Sequence, residues 1–139
     1  MPSLIKDLLF LLWRYFGPFE LFKKPRIPII SPEKKAKTRL KIIREQDLPK
    51  KGLFKEYFIM LSETVRAYLE ERFILPVTTE TTEEFLAAIS LNPLFPKEIQ
   101  DLLKQFLYQA DRVKFAQEVP TLEECRVAFE YANKIISKP

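Results

Sequence analysis

Apolar residues recur at three- and four-residue spacing along most of this chain, and no convincing alternating run interrupts them. The clearest stripe runs from Leu53 to Arg72: Phe54, Tyr57, Phe58, Leu61, Val65, Tyr68, Leu69 and then Phe73 fall on one helical face. Pro76 stops that helix. Thr78-Thr79-Glu80-Thr81-Thr82-Glu83-Glu84 supplies a capped start for a helix through Phe85, Leu86 and Ile89. Asn92-Pro93 and Phe95-Pro96 form a loop. A further helix opens near Pro96 and turns Ile99, Leu102, Leu103, Phe106, Leu107 and Ala110 inward. Thr121 with Glu124 has the capping-box spacing and begins a last helix, Leu122 to Ser137.

Two more segments precede this body. From Ser3 to Phe22, residues Leu4, Ile5, Leu8, Leu9, Leu11, Leu12, Tyr15 and Phe16 fill one wide helical sector. Lys6, Asp7 and Arg14 lie opposite, and Trp13 sits at the boundary. Gly17-Pro18 ends that pattern after about half the ~20 apolar residues a bilayer span needs. Two readings of this head stay open. It lies in the headgroup region of a membrane, or it packs as an ordinary amphipathic helix on the body. Ser31-Pro32-Glu33 then starts a helix to about Gln46, with Ser31 as N-cap; it offers Leu40 and Ile43 to a core and is otherwise basic.

Composition agrees with helices. Only 2 glycines occur against 11 prolines, so proline does the punctuating, and a glycine-turned β-sandwich or barrel is disfavoured. The expected fold is all-α: a small bundle of about four core helices with an N-terminal amphipathic helix and a basic linker helix.

The net charge of +4 hides a strong segregation. Eleven Lys and Arg between Lys23 and Lys51 face only Glu33, Glu45 and Asp47, while residues 52–139 hold ten basic and fourteen acidic side chains. The chain therefore divides into an apolar head, 1–22, a basic neck, 23–51, and an acidic helical body, 52–139. Lys23, Lys24 and Arg26 directly follow the apolar head, which marks the cytoplasmic side of a membrane. Near anionic lipid each cation contributes about 1 kcal/mol of attraction. Membrane-contact candidates are Leu8, Leu9, Leu12, Trp13 and Phe16 with Lys23, Lys24 and Arg26. A solvated basic face and a nucleic-acid footprint are the other readings of the neck. The latter lacks support from base-stacking aromatics, since residues 33–51 contain none.

Catalytic chemistry finds little to work with. The chain has no histidine, which removes His-based general bases, His-activated nucleophiles and the commonest transition-metal ligand. Two glycines cannot furnish a phosphate-cradling loop, and a lone Cys125 forms no internal disulfide and fits a reducing compartment. No small-residue cleavage pattern follows the apolar head. The expectation is a protein that is not an enzyme, with no cofactor, metal or small-molecule substrate. Cys125 falls in an amphipathic stretch and reads as a small core residue.

Two clusters are candidates for partner binding. Asp111, Arg112 and Lys114 near a helix end form a docking site, or Asp111 pairs within the bundle and orders the next turn, with Phe115 plugged into the core. Arg66 and Arg72 flank Tyr68, itself expected to be a core residue with its hydroxyl at the rim.

The body carries Phe58-x-x-Leu61-Ser62, then Arg66-x-Tyr68-Leu69-Glu70-x-Arg72-Phe73. Downstream come Thr81-Thr82-Glu83-Glu84-Phe85-Leu86 and Ala110-Asp111-x-Val113-Lys114-Phe115-Ala116. Over residues 50 to 137 this succession resembles the cytoplasmic C-terminal region of BatD-type proteins, which are encoded beside MoxR-type AAA+ ATPases and von Willebrand factor A proteins in bacteria. The resemblance implies a helical domain just inside the inner membrane, behind a transmembrane helix and a basic linker. This chain departs from that pattern in lacking periplasmic β-domains and a full-length span before its neck. The expected function is thus a membrane-proximal cytoplasmic interaction module, an adaptor for such an ATPase or A-domain protein. The alternative is a nucleic-acid-binding protein using residues 23–51.

Overall fold

The computed structural model describes residues 30–75 and 81–137. Ser31 caps the first helix by accepting a hydrogen bond from the Lys34 backbone N–H at 3.2 Å, and Pro32 sits where its missing N–H is not needed. This helix, α1 (Pro32–Gln46), is followed by a 3₁₀ turn (Leu48–Lys51) and by α2 (Phe54–Phe73). Gly52 separates the turn from α2 with φ 75°, a left-handed conformation for which glycine carries no side-chain penalty. Then come α3 (Thr82–Ser90), α4 (Lys97–Phe115) and α5 (Leu122–Ser137). Thr81 and Thr121 cap α3 and α5 by accepting from the N–H three residues on, at 3.2 and 3.0 Å. Each such cap is worth about 1 kcal/mol. At Thr121 the hydroxyl also donates to the Glu124 carboxylate, so the box closes through side chains.

The described residues are helical and contain no strand, as the hydrophobic period requires. α2 packs on α1, α4 and α5, while α5 packs on α1 and α4, giving a four-helix bundle; short α3 lies against α4 at the edge. Phe58, Leu61, Val65, Leu69, Leu103 and Phe106 are fully buried along the α2–α4 seam. On α5, Cys125, Ala128 and Ala132 repeat at helical spacing and are also buried, which lets that backbone approach its neighbours closely. Tyr68 is buried as expected.

The charge boundary at 51/52 is not a boundary of the core. Ala36, Leu40 and Ile43 of α1 belong to the same buried cluster as the body. The basic helix is one of the four long helices, and α3 is the peripheral one. Only three of the fifteen residues of α1 are buried, so a narrow seam hides among many charges.

Cys125 is buried, and the Tyr57 hydroxyl donates to its carbonyl oxygen at 3.0 Å. Burial, with the Glu124 carboxylate adding to it, pushes the thiol from 9.0 up to about 11. The folded chain therefore keeps a proton that the unfolded chain releases above about pH 9, so stability falls as pH rises from there through about 11. Denaturant titrations across that window will show the midpoint dropping, and Cys125→Ala will flatten the drop. An undiminished slope in that variant would assign the loss elsewhere.

Candidate functional site

Three of the five partner-binding candidates come together where α2, α3 and α4 meet. α4 is in helical phase with Val113 inward, so Lys114 emerges one residue on toward α2 and Asp111 faces the start of α3. Thr82 Oγ1 donates to Asp111 Oδ2 at 2.5 Å. Lys114 Nζ donates to Ser62 Oγ at 3.2 Å and lies 3.8 Å from Asp111 Oδ1. Ser62 in turn donates to the Ile59 carbonyl at 3.2 Å. Arg66 stacks its guanidinium over the Phe85 ring at 4.7 Å and donates to the Thr81 carbonyl at 3.4 Å. Arg66, Glu83, Lys114 and Phe115 border an open cleft of about 430 Å³ above this node.

Burial holds the Lys114 ammonium below the ordinary lysine range; Asp111 opposes that effect and the Arg66 charge reinforces it. Every buried side-chain polar atom among the described residues has a hydrogen-bond partner. The node therefore ties three helices together, and Arg66, Asp111 and Lys114 all line the cleft. Ser62 is 1% exposed and its hydroxyl is committed to the Ile59 carbonyl, so the Ser62–Lys114 pair is out of reach as a nucleophile and base. No group of His, Cys, Asp and Glu able to hold a metal ion occurs among the described residues.

Asp111→Ala will cost about 1–3 kcal/mol in denaturant unfolding, because it leaves the buried Thr82 hydroxyl and the Lys114 ammonium without their acceptor. A loss under about 0.5 kcal/mol, the size of an ordinary surface change, would show that water replaces the carboxylate freely.

The other two candidates lie elsewhere. Arg112 pairs with Glu118 at 3.2 Å, and its carbonyl accepts the Ala116 and Glu118 N–H groups at 3.0 and 3.2 Å. Arg112, rather than Asp111, thus orders the turn before the last helix. Arg72 sits at the end of α2 with its guanidinium 5.4 Å from the Phe73 ring. Phe115 corrects the sequence reading: it is 76% exposed. Two helical residues beyond Val113 it points about 200° away from the core direction. Its ring lies 5.2 Å from Lys114 Nζ at the cleft rim.

The sequence reading missed Ser62 and Thr82 as partners in this node. Ser62 falls inside the Phe58, Leu61, Val65, Leu69 stripe, and a polar residue at a core register was the signal available. Leu8, Leu9, Leu12, Trp13, Phe16, Lys23, Lys24 and Arg26 lie outside the described residues. No described helix is long and apolar enough to cross a membrane. Comparison of the chain with known protein families, curated proteins and solved structures finds no match.

Proposed function

We propose that this chain is a non-enzymatic interaction module held at the cytoplasmic face of the inner membrane. There it recruits a protein partner, and the resemblance of its body points to a MoxR-type ATPase or a von Willebrand factor A protein. The observation that carries the reading is the polarity of α1. That helix commits Ala36, Leu40 and Ile43 to the core and leaves Lys34, Lys37, Arg39 and Lys41 exposed, directly behind the apolar head and the Lys23-Lys24-Pro25-Arg26 run. An anionic leaflet attracts such a face and an apolar head gives it a hold. The cleft is lined by Arg66 and Lys114 together with Glu83 and Asp111, so it offers a partner both signs of charge beside the exposed Phe115 ring.

Co-sedimentation with phosphatidylglycerol vesicles tests the tether. The full chain will pellet. A chain beginning at Ile30 will bind weakly, and Lys24→Glu with Lys34→Glu in the full chain will lower partitioning at least tenfold, since each cation is worth about 1 kcal/mol there. A full chain that stays in the supernatant overturns the tether, and a salt-sensitive gel shift would then favour nucleic acid. Adding a purified ATPase or A-domain protein to vesicle-bound chain tests recruitment, which Lys114→Glu will weaken.

A further inference from the structure

Four exposed aliphatic side chains lie at the end of the bundle where the chain enters, while Leu53, Val119 and Leu122 are exposed toward the other end. Lys35 Nζ meets Glu71 Oε2 at 3.4 Å, tying the first turn of α1 to the last turn of α2. The Phe73 ring meets the Phe95 ring edge-on at 5.3 Å, tying the end of α2 to the α3–α4 loop. At this end Ile30 is 52% exposed, Ile74 89%, Leu91 84% and Leu94 76%.

None of these four belongs to the buried core or to the partly buried residues packed against it. Ile74 is the most telling, because it also holds a left-handed backbone, φ 53°, at the C-cap of α2. A β-branched residue is strained in that conformation, and glycine or asparagine is the usual occupant. The carboxylates of Glu33 and Glu71 at this end are taken by Lys37 and Lys35, at 3.2 and 3.4 Å. Lys34 in the first turn of α1, Arg72 in the last turn of α2 and Lys97 in the first turn of α4 also lie at this end, with Glu70 and Glu98 on the same turns as the latter two. Residues 1–29, with their apolar head, join the bundle here, at Ile30.

We propose that this end, Ile30, Ile74, Leu91 and Leu94, is the face the bundle seats on an anionic bilayer surface. The inference rests on the membrane tether proposed above and adds an orientation to it. A head held in the headgroup region keeps the residue that follows its linker close to the bilayer, and seven residues, 23–29, span at most about 25 Å. Aliphatic side chains at that point leave water for the acyl boundary. The loop between α4 and α5 lies at the opposite end, since α4 starts beside Phe95 and runs for nineteen residues.

Leu94 and Val119 permit a matched test, being 76% and 75% exposed at opposite ends. In full-length chain carrying Cys125→Ala, a polarity-sensitive NBD label is placed through Leu94→Cys or through Val119→Cys. Phosphatidylglycerol vesicles are then added. The expected result is a blue-shifted, brighter emission at position 94 and none at 119. Binding in which label 119 shifts, or neither label shifts, overturns the orientation and leaves the tether standing. An absence of vesicle binding overturns both. A shift at 94 without vesicles also overturns the proposal: it assigns the end to a second copy if it grows with concentration, and to the head if it is concentration-independent and vanishes in a chain beginning at Ile30. Two variants guard against misfolding as an explanation. Leu94→Glu will lower vesicle partitioning about tenfold or more. Ile74→Gly will raise the melting temperature by removing backbone strain while weakening vesicle binding, and unchanged binding there counts against the proposal.

Discussion

A chain beginning at Gly52 will not fold cooperatively, whereas one beginning at Ile30 will unfold in a single sharp transition. Removing residues 30–51 takes Ala36, Leu40 and Ile43 out of the core and exposes the faces of α2 and α5 that they cover. Burying a Leu or Ile side chain contributes about 1.5–3 kcal/mol each, before counting the surface they shield. Domains of this size have only about 5–15 kcal/mol in hand. The loss therefore consumes most of the stability. Circular dichroism and dye binding will report it as reduced helicity with exposed apolar surface. A sharp transition at an unchanged midpoint for the Gly52 chain would show that the body stands without α1. Membrane tests should accordingly delete the head at Ile30 or reverse charges on α1, since a cut at Gly52 removes a structural helix with the charge.

The second large effect separates two phenylalanines on one helix. Phe106→Ala will cost about 3–5 kcal/mol, because the fully buried ring leaves a cavity among α2, α4 and α5. Phe115→Ala, nine residues on, will change stability by no more than about 0.5 kcal/mol, since that ring is 76% exposed. Denaturant titration of both variants checks the contrast. A Phe115→Ala loss comparable to that of Phe106→Ala would return Phe115 to the core. A neutral Phe115→Ala that weakens partner recruitment would place the ring in the docking cleft.

That contrast shows what periodicity can and cannot reach. Long stripes are legible because burying many side chains on one face outweighs local exceptions. The α2 stripe, the inward set of α4 and the Ser31 and Thr121 caps were all readable for that reason, whereas Thr81 was one candidate within the run 78–84. At a helix end the register runs out, and one aromatic residue after Lys114 can be assigned to either side. The polar node where α2, α3 and α4 meet was half legible. Asp111, Lys114 and Arg66 stood out as charges, but Thr82 and Ser62 are separated from Asp111 and Lys114 by 29 and 52 residues. No local pattern joins residues that far apart.

The sequence by itself determined the all-α class, most helix bounds, the absence of histidine and the segregation of charge. Each of these depends on neighbours within a few residues or on composition alone. Tertiary structure decided that the basic helix is a core member, that α3 is peripheral, that Arg112 rather than Asp111 closes the α4–α5 turn, and that Ile30, Ile74, Leu91 and Leu94 are exposed at one end of the bundle. Those outcomes depend on which faces meet across the bundle. Three small or aliphatic residues on α1 secure its place there because the packing of α2 and α5 leaves a seam to fill, a fact no stretch of α1 contains.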